Sequence, residues 1–210
     1  SSFAENAGTV LVNATMNKTA ESATTVILVH SGSATQGLGQ DYTIDNTTIV
    51  IPAGSTSSST TLRGLDYSFV DSDETVVLSI SSVSGGGRAR EDGDQQATVS
   101  IIDDDSAAVT IANVSVPENS GSATITLSLD NQVQNGFWVT VLRADGTATV
   151  ADSDYTAGTD NVSFTGTAGE TQTINIPLGG DTKLEADETL TLSLGSVSRS
   201  RITITDTATL

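Results

Sequence analysis

The chain repeats itself. Ala4-Glu5-Asn6-Ala7-Gly8 returns as Pro117-Glu118-Asn119-Ser120-Gly121, and Gly32-Ser33-Ala34-Thr35 as Gly146-Thr147-Ala148-Thr149. Asp41-Tyr42-Thr43 returns as Asp154-Tyr155-Thr156, Pro52-Ala53-Gly54 has its counterpart in Thr167-Ala168-Gly169-Glu170, and Asp73-Glu74-Thr75 returns as Asp187-Glu188-Thr189. Val99-Ser100-Ile101-Ile102-Asp103 finds its counterpart in Ile202-Thr203-Ile204-Thr205-Asp206. A repeat this long means one fold built twice, and 210 residues suit two domains of roughly a hundred residues each. The reading is domain 1 at 1–105 and domain 2 at 106–210, with almost no linker after Asp103-Asp104-Asp105. The offset is 113 at Glu5/Glu118, 114 at Glu74/Glu188 and 103 at Asp103/Asp206. The missing length is assigned to one hairpin, where Gly85 to Asp94 faces a short crossing through Val197-Ser198-Arg199.

Within each copy, apolar residues alternate with Ser and Thr in short runs, as in Ala123-Thr124-Ile125-Thr126-Leu127-Ser128-Leu129. Period two with β-branched enrichment describes half-buried strands, and long helical stripes are absent. Gly, Asn, Asp and Ser punctuate the chain about every ten residues, the rhythm of an antiparallel sandwich. The fold class is all-β. In the second copy the strands are expected near 107–116, 121–130, 136–145, 160–166, 171–178, 188–195 and 200–206. The first copy begins just before its Glu5 and is expected to lack most of the first strand, as an excised piece of a longer tandem array would. Aromatic content is 4%. Phe137, Trp138 and Phe164 are expected to anchor the second core, with Phe3, Tyr42, Tyr67 and Phe69 serving the first.

Composition excludes several classes. With 26 acidic and 8 basic side chains the formal charge is −18, which repels nucleic acid and anionic lipid. No apolar run is long enough for a membrane span. With no Cys there is neither a disulfide framework nor a thiolate metal site, and His30 is the only His. No phosphate-cradling or EF-hand loop is present, and the acids are too many and too loop-bound for a hydrolytic pair. The chain is therefore read as not an enzyme.

Alternating strand directions put the exits of the first, third, fifth and seventh strands at one end of a sandwich. The repeated acids fall at those exits. In the second copy they are Glu118, Asp154, Asp181, Glu185, Glu188 and Asp206. In the first they are Glu5, Asp41, Asp66, Asp71, Asp73, Glu74, Asp103, Asp104 and Asp105. Asp73 and Asp187 are expected to face outward, and Glu74 and Glu188 inward. Two anions about 4 Å apart repel by roughly 1 kcal/mol in water and about 4 kcal/mol at an effective dielectric near 20. Such a cluster must splay, protonate or bind cations. All-oxygen ligation from loops suits Ca²⁺, which takes six to eight oxygens.

At these motifs the chain resembles the Calx-beta family, twice and over nearly its whole length. The resemblance implies immunoglobulin-like antiparallel β-sandwiches of seven strands that bind Ca²⁺ at the pole holding the end of the last strand. Carried over residue by residue, the implied ligands are Glu5, Asp41, Asp66, Asp71, Glu74, Asp103, Asp104 and Asp105, then Glu118, Asp154, Asp181, Glu185, Glu188 and Asp206. The first copy has Asp66-Tyr67 where the family has an acidic pair, and Asp71 for a customary Glu. The second has Gly180 in half of that pair and lacks the triple Asp. The first site is accordingly expected to be fuller and tighter, and Ca²⁺ there to stiffen the junction between domains. Family members occur in large bacterial surface and secreted proteins and in sodium–calcium exchangers. The leading expectation is a calcium-binding adhesion or extender module at an extracellular or bacterial cell-surface location. Its partners would be calcium ions, neighbouring domains of the array, and a surface protein or glycan. The alternatives are a regulatory Ca²⁺ sensor, as in the exchangers, and a carbohydrate- or protein-binding module.

Overall fold

Alternation along the sequence becomes alternation of burial along the strands. In Ser122–Leu129, Ala123, Ile125, Leu127 and Leu129 are buried, whereas Ser122 and Thr124 face water. The structure, a computed structural model, describes residues 1–6, 8–183 and 185–210. By their packing these residues form two units: Ser1–Tyr67 with Ser72–Asp104, and Ser68–Asp71 with Asp105–Leu210.

The first unit runs β1 (Ser2–Ala4), β2 (Thr9–Thr15), β3 (Thr24–Gly32), β4 (Tyr42–Ile44), β5 (Thr48–Ile51), β6 (Ser57–Gly64), β7 (Glu74–Gly85) and β8 (Gln96–Ile102). One sheet has the order β1-β8-β7-β3-β5 and the other β2-β6-β4. Its buried residues form two clusters, one around Tyr42, Leu62, Val76, Leu78 and Ile101 and one around Val26, Leu28, Ile49 and Ile51.

The second unit runs β9 (Ala107–Ile111), β10 (Ser122–Leu129), β11 (Phe137–Asp145), β12 (Thr159–Phe164), β13 (Thr171–Pro177), β14 (Leu190–Val197), β15 (Ile202–Thr203) and β16 (Thr207–Thr209). A short 3-10 turn, Glu118–Ser120, precedes β10. The sheets are β13-β10-β9-β15 and β12-β11-β14-β16. They enclose a single continuous core in which the Phe137 and Phe164 rings stack with centroids 5.1 Å apart. Val70 belongs to this core. Its N–H donates to the Gln132 carbonyl and its own carbonyl accepts from Gln134 N–H, each at 2.9 Å.

The chain is all-β, as its alternation requires, but three expectations need correcting. Trp138 is not core: it is 42% exposed, because Phe137, Val139 and Val141 take the inward positions of β11 and strand parity turns Trp138 out. Phe69 does not serve the first core, since Ser68–Asp71 packs with the second unit. The last strand of the second copy is not 200–206. Cross-strand pairing decides it: Val76 pairs with Val99 in the first unit, and the equivalent Leu190 exchanges backbone hydrogen bonds with Leu210 in the second. The final strand is therefore β16, and Leu210 answers to Val99. Ile202 and Thr203 instead pair in parallel with Ala107 and Ala108 of β9. The crossing after Val197 thus occupies 198–206, nearly as long as the 86–95 crossing of the first unit.

Candidate metal centre

The first cluster arises from a parallel pairing. β1 and β8 run in the same direction, with Ala4 opposite Ile102, and the Glu5 N–H donates to the Ile102 carbonyl at 3.0 Å. Parallel strands end at the same side, so the next residues, Glu5 and Asp103, emerge together. Carboxylate oxygens of Glu5 and Asp103 lie within 4.8 Å of each other, and those of Glu5, Asp66 and Asp104 fall within the same distance. Glu5 is 1% exposed and Asp103 3%. Asp66, just past β6, and Asp104 face water, and Asn6 Nδ2 donates to Asp104 Oδ2.

The second cluster is built from loops. Glu118 sits in the 3-10 turn, and its Oε1 accepts from Asp181 N–H at 3.1 Å. Oxygens of Glu118, Asp181 and Glu185 fall within 4.8 Å, as do those of Asp154, Glu185 and Glu188. Asp154 is half-buried and the others are exposed. Glu118, Asp154, Glu185 and Glu188 line a cleft of about 720 Å³ together with Val114, Val116 and Leu178. Lys183 reaches into the group, its Nζ 3.2 Å from Asp181 Oδ2 and 3.4 Å from Glu185 Oε1. The Lys183 N–H and ammonium hold the Asp181 carboxyl below its ordinary range, and the bond to Asp181 raises the Lys183 ammonium. Glu188 is pushed up by desolvation, then by the charges of Asp154 and Glu185.

Local capping bonds fix two of the expected residues, Asp41 and Asp154. Asp41 and Asp154 occupy equivalent places and cap the loop before them, accepting from the Thr35 and Thr149 N–H groups respectively. Each is followed by a buried Tyr. The Tyr42 hydroxyl lies 2.9 Å from His30 Nδ1, and Tyr155 donates to Asp145 Oδ1 at 2.6 Å. Burial, reinforced by that bond, pushes the Tyr155 phenol up to about 12. Asp41 itself joins none of the close carboxylate groups among the described residues. Neither do Asp71, buried in the second unit, nor Glu74, half-buried at the start of β7. Asp73 and Asp187 face water, as expected, but so does Glu188, which was expected to turn inward: β14 begins only at Leu190, so no strand carries Glu188 toward the core. Asp105, half-buried, opens the second unit.

Asp206 is a correction. The register that makes Leu210 the counterpart of Val99 removes its equivalence to Asp103. Its Oδ2 instead accepts from Ile111 N–H at 2.8 Å and its Oδ1 from Thr207 N–H at 3.0 Å, which ties the end of β9 to the start of β16. Lys183 is the participant that sequence reasoning passed over, although its place between Asp181 and Glu185 signalled it.

Both groupings offer only hard oxygen donors. Two oxygens on opposite sides of a Ca²⁺ ion, each about 2.4 Å away, are about 4.8 Å apart, so the carboxylate spacing admits such an ion. Buried Glu5 and Asp103 cannot rely on water for compensation. At this separation the repulsion is about 3–4 kcal/mol at an effective dielectric near 20.

Comparison with known proteins agrees with the repeat. The Calx-beta domain profile matches residues 2–105 and again residues 106–210. Among solved structures, the calcium binding domain CBD12 of CALX1.1 is 18% identical, with 96% of this chain and 78% of that one covered and a TM-score of 0.43. CBD12 from CALX1.2 is likewise 18% identical over 93% and 77%, with a TM-score of 0.42. The apo form of the Calx CBD1 domain is 20% identical over 50% of this chain and 96% of its own, also with a TM-score of 0.42. No curated protein matches the sequence. Two successive domain matches that together span residues 2–210 place the chain in the Calx-beta family, as a tandem pair.

Proposed function

We propose that the chain is a tandem calcium-binding module, a binding protein rather than an enzyme. The observation that carries this reading is the pair of buried carboxylates, Glu5 and Asp103, whose oxygens lie within 4.8 Å. A divalent cation there turns a repulsive contact into a bridge. Asp66 and Asp104 extend the donor set at the exposed side. In the second repeat Glu118, Asp154, Asp181, Glu185 and Glu188 form a weaker, water-completed site that Lys183 contests.

The wider role we infer is that of a rigid extender or adhesion segment in a bacterial cell-surface or secreted protein. Calcium stiffens the chain at Asp103-Asp104-Asp105, where one repeat gives way to the next. The high Ser and Thr content, absent Cys and large negative charge support an extracellular setting. Calorimetric Ca²⁺ titration tests both levels. Binding that is lost stepwise in Asp104→Ala and Glu188→Ala supports the module, and no heat with the wild-type chain rejects it. Dissociation constants near 10⁻⁴–10⁻³ M fit an extracellular module, whereas submicromolar values would favour a regulatory sensor. Scattering profiles that stay the same with and without Ca²⁺ would remove the stiffening role.

A further inference from the structure

Strand parity leaves Trp138 on the outer face of the β12-β11-β14-β16 sheet, and the ladder fixes its neighbours. The Trp138 N–H donates to Ser198 Oγ at 2.9 Å and its carbonyl accepts from Ser198 N–H at 3.0 Å, so both backbone groups point to the β14 side. On the β12 side Trp138 and Ser163 therefore form a pair without mutual hydrogen bonds, the arrangement that brings opposite side chains closest. Asn161 lies diagonally beside the indole, two positions from Ser163 on the same face. Leu142, four residues along β11 and roughly 13 Å away at about 3.3 Å per residue, continues the strip. It folds over Gly195 of β14, where an added Cβ would meet Leu142 Cδ1 at 3.1 Å and Thr140 Oγ1 at 2.6 Å. That position raises no side chain above the face.

This face lacks charge. The outward positions of its four strands hold no Asp, Glu, Lys or Arg, in a chain with 26 acidic and 8 basic side chains. Trp138 is 42% exposed and Leu142 41%. Among the described residues, the Asn161 amide, the Ser163 hydroxyl and the indole N–H have no side-chain hydrogen-bond partner.

The corresponding face of the first unit is built differently. Val26 pairs with Ile49 as Val139 pairs with Val162, so Thr25, Thr48 and Val50 answer to Trp138, Asn161 and Ser163. That face is exposed as well, at Ile27, Val29 and Val50, but it has Thr and Val in place of the ring and the amide.

We propose that the outer face of β12-β11-β14 in the second unit is a binding platform for a neutral glycan. The C–H face of a pyranose ring stacks on the indole, and its hydroxyls exchange hydrogen bonds with Asn161, Ser163 and the indole N–H. Leu142 covers C–H groups of a further ring along β11. A sugar presents this mixture of C–H patches and hydroxyls, and an uncharged face receives it without desolvating an ion. A protein partner fits less well, because interface centres gather several large anchors and this face offers Trp138 and Leu142. An acidic glycan would be repelled by a chain of formal charge −18. The platform needs no calcium: Trp138 lies near the start of β11, at the opposite end from Asp145, which bonds Tyr155 beside the acidic group.

Trp138 is the only Trp, so indole fluorescence of the full chain reports on this face alone. The probes are cellohexaose, laminarihexaose, mannohexaose and N-acetylchitohexaose, with sialyllactose and polygalacturonate as acidic counterparts. At least one neutral probe should shift the emission and shield the indole from acrylamide, saturating with a Kd of about 10⁻³ M or below. By calorimetry, Trp138→Ala should weaken that binding about tenfold or more and Asn161→Ala about fivefold. Both side chains are exposed, so the second unit's melting midpoint should stay within about 2 °C of wild type in each variant. The proposal is overturned if no neutral probe perturbs the indole, if Trp138→Ala binds as well as wild type, or if the acidic probes bind as tightly as the neutral ones. It is equally overturned if the chain self-associates with the indole already shielded before any sugar is added, which would assign the face to a second copy.

Discussion

The first unit gathers its acids by strand pairing and the second gathers its own by loops. Because β1 and β8 run parallel, Glu5 and Asp103 are delivered to the same spot and buried there. Glu118, Asp181, Glu185 and Glu188 remain at the surface, where water and Lys183 share the neutralisation. Similar motifs thus yield two electrostatic situations. A buried carboxylate pair has few ways out, whereas an exposed one can be left solvated at small cost. Calcium should therefore matter structurally to the first unit and far less to the second.

The largest expected effect follows directly. With Ca²⁺ about a thousandfold above its Kd, binding stabilises a folded unit by about 4 kcal/mol, which for a domain of this size is about 20 °C in midpoint. Calorimetry of the full chain should show chelation lowering the first unit's transition by that order and the second unit's by a few degrees. Asp103→Asn should erase the calcium shift of the first transition alone. Equal shifts in both units would break the comparison.

A control of the opposite kind lies in the second unit. The Arg143 side chain is 6% exposed, and its guanidinium pairs with Asp160 and donates to the Thr156 carbonyl at 2.8 Å. Arg143→Ala leaves Asp160 without this partner and should cost the second unit about 3 kcal/mol in chemical denaturation. The first unit's calcium shift should be unchanged. A loss of that shift would show that the transitions are not separable and that the difference between the units was misassigned.

The sequence made much of this legible, and its failures have a common cause. Period-two alternation identified the strands because burial on one face acts on each residue locally. Repeated Glu-Asn and Asp-Tyr motifs marked the loops because their capping bonds are local too, as at Thr35/Asp41 and Thr149/Asp154. Asp206 was misplaced because Ile202-Thr203-Ile204-Thr205-Asp206 imitates Val99 to Asp103 in pattern, while register is fixed by a distant strand, β14. A pattern of period two fits any even shift equally well. Trp138 was misplaced because size argued for burial and parity for exposure, and parity prevailed. The closeness of Glu5 to Asp103 depends on the β1–β8 direction, which no local pattern encodes.

Acid should separate the units at a third place. Glu170, in the turn before β13, is disfavoured as an anion by partial burial. Bonds from Thr165, Gln172 and Gly166 outweigh that and hold its carboxyl down at about 2, against an ordinary 4.5. Ser55 stands at the matching position of the first unit, after Gly54. A carboxyl depressed in the folded state stabilises fully above its unfolded value. The contribution drains away as pH falls from about 4.5 toward 2. Glu170→Gln should therefore cost the second unit about 2 kcal/mol at neutral pH. The difference from wild type should shrink across that window, leaving the first transition untouched. A difference that persists at pH 2 would mean the side chain's packing, and not its charge, matters.

The smallest effect is the most diagnostic of how the second cluster is neutralised. Lys183 bonds to Asp181 and Glu185 from an exposed position, so Lys183→Ala should change stability by less than about 0.5 kcal/mol. Its effect on calcium should be larger than its effect on folding. Removing a resident cation from a group of five acids frees oxygens and deepens the local potential, so Ca²⁺ should bind the second site severalfold more tightly at low ionic strength. The gain should fade as salt screens it. The first site, whose named acids lie in the other unit, should keep its affinity, and the gap between the sites should narrow. Should Lys183→Ala weaken the second site instead, the lysine would be a positioner of Asp181 and Glu185 and not a competitor, and exposure alone would have to account for the contrast between the two poles.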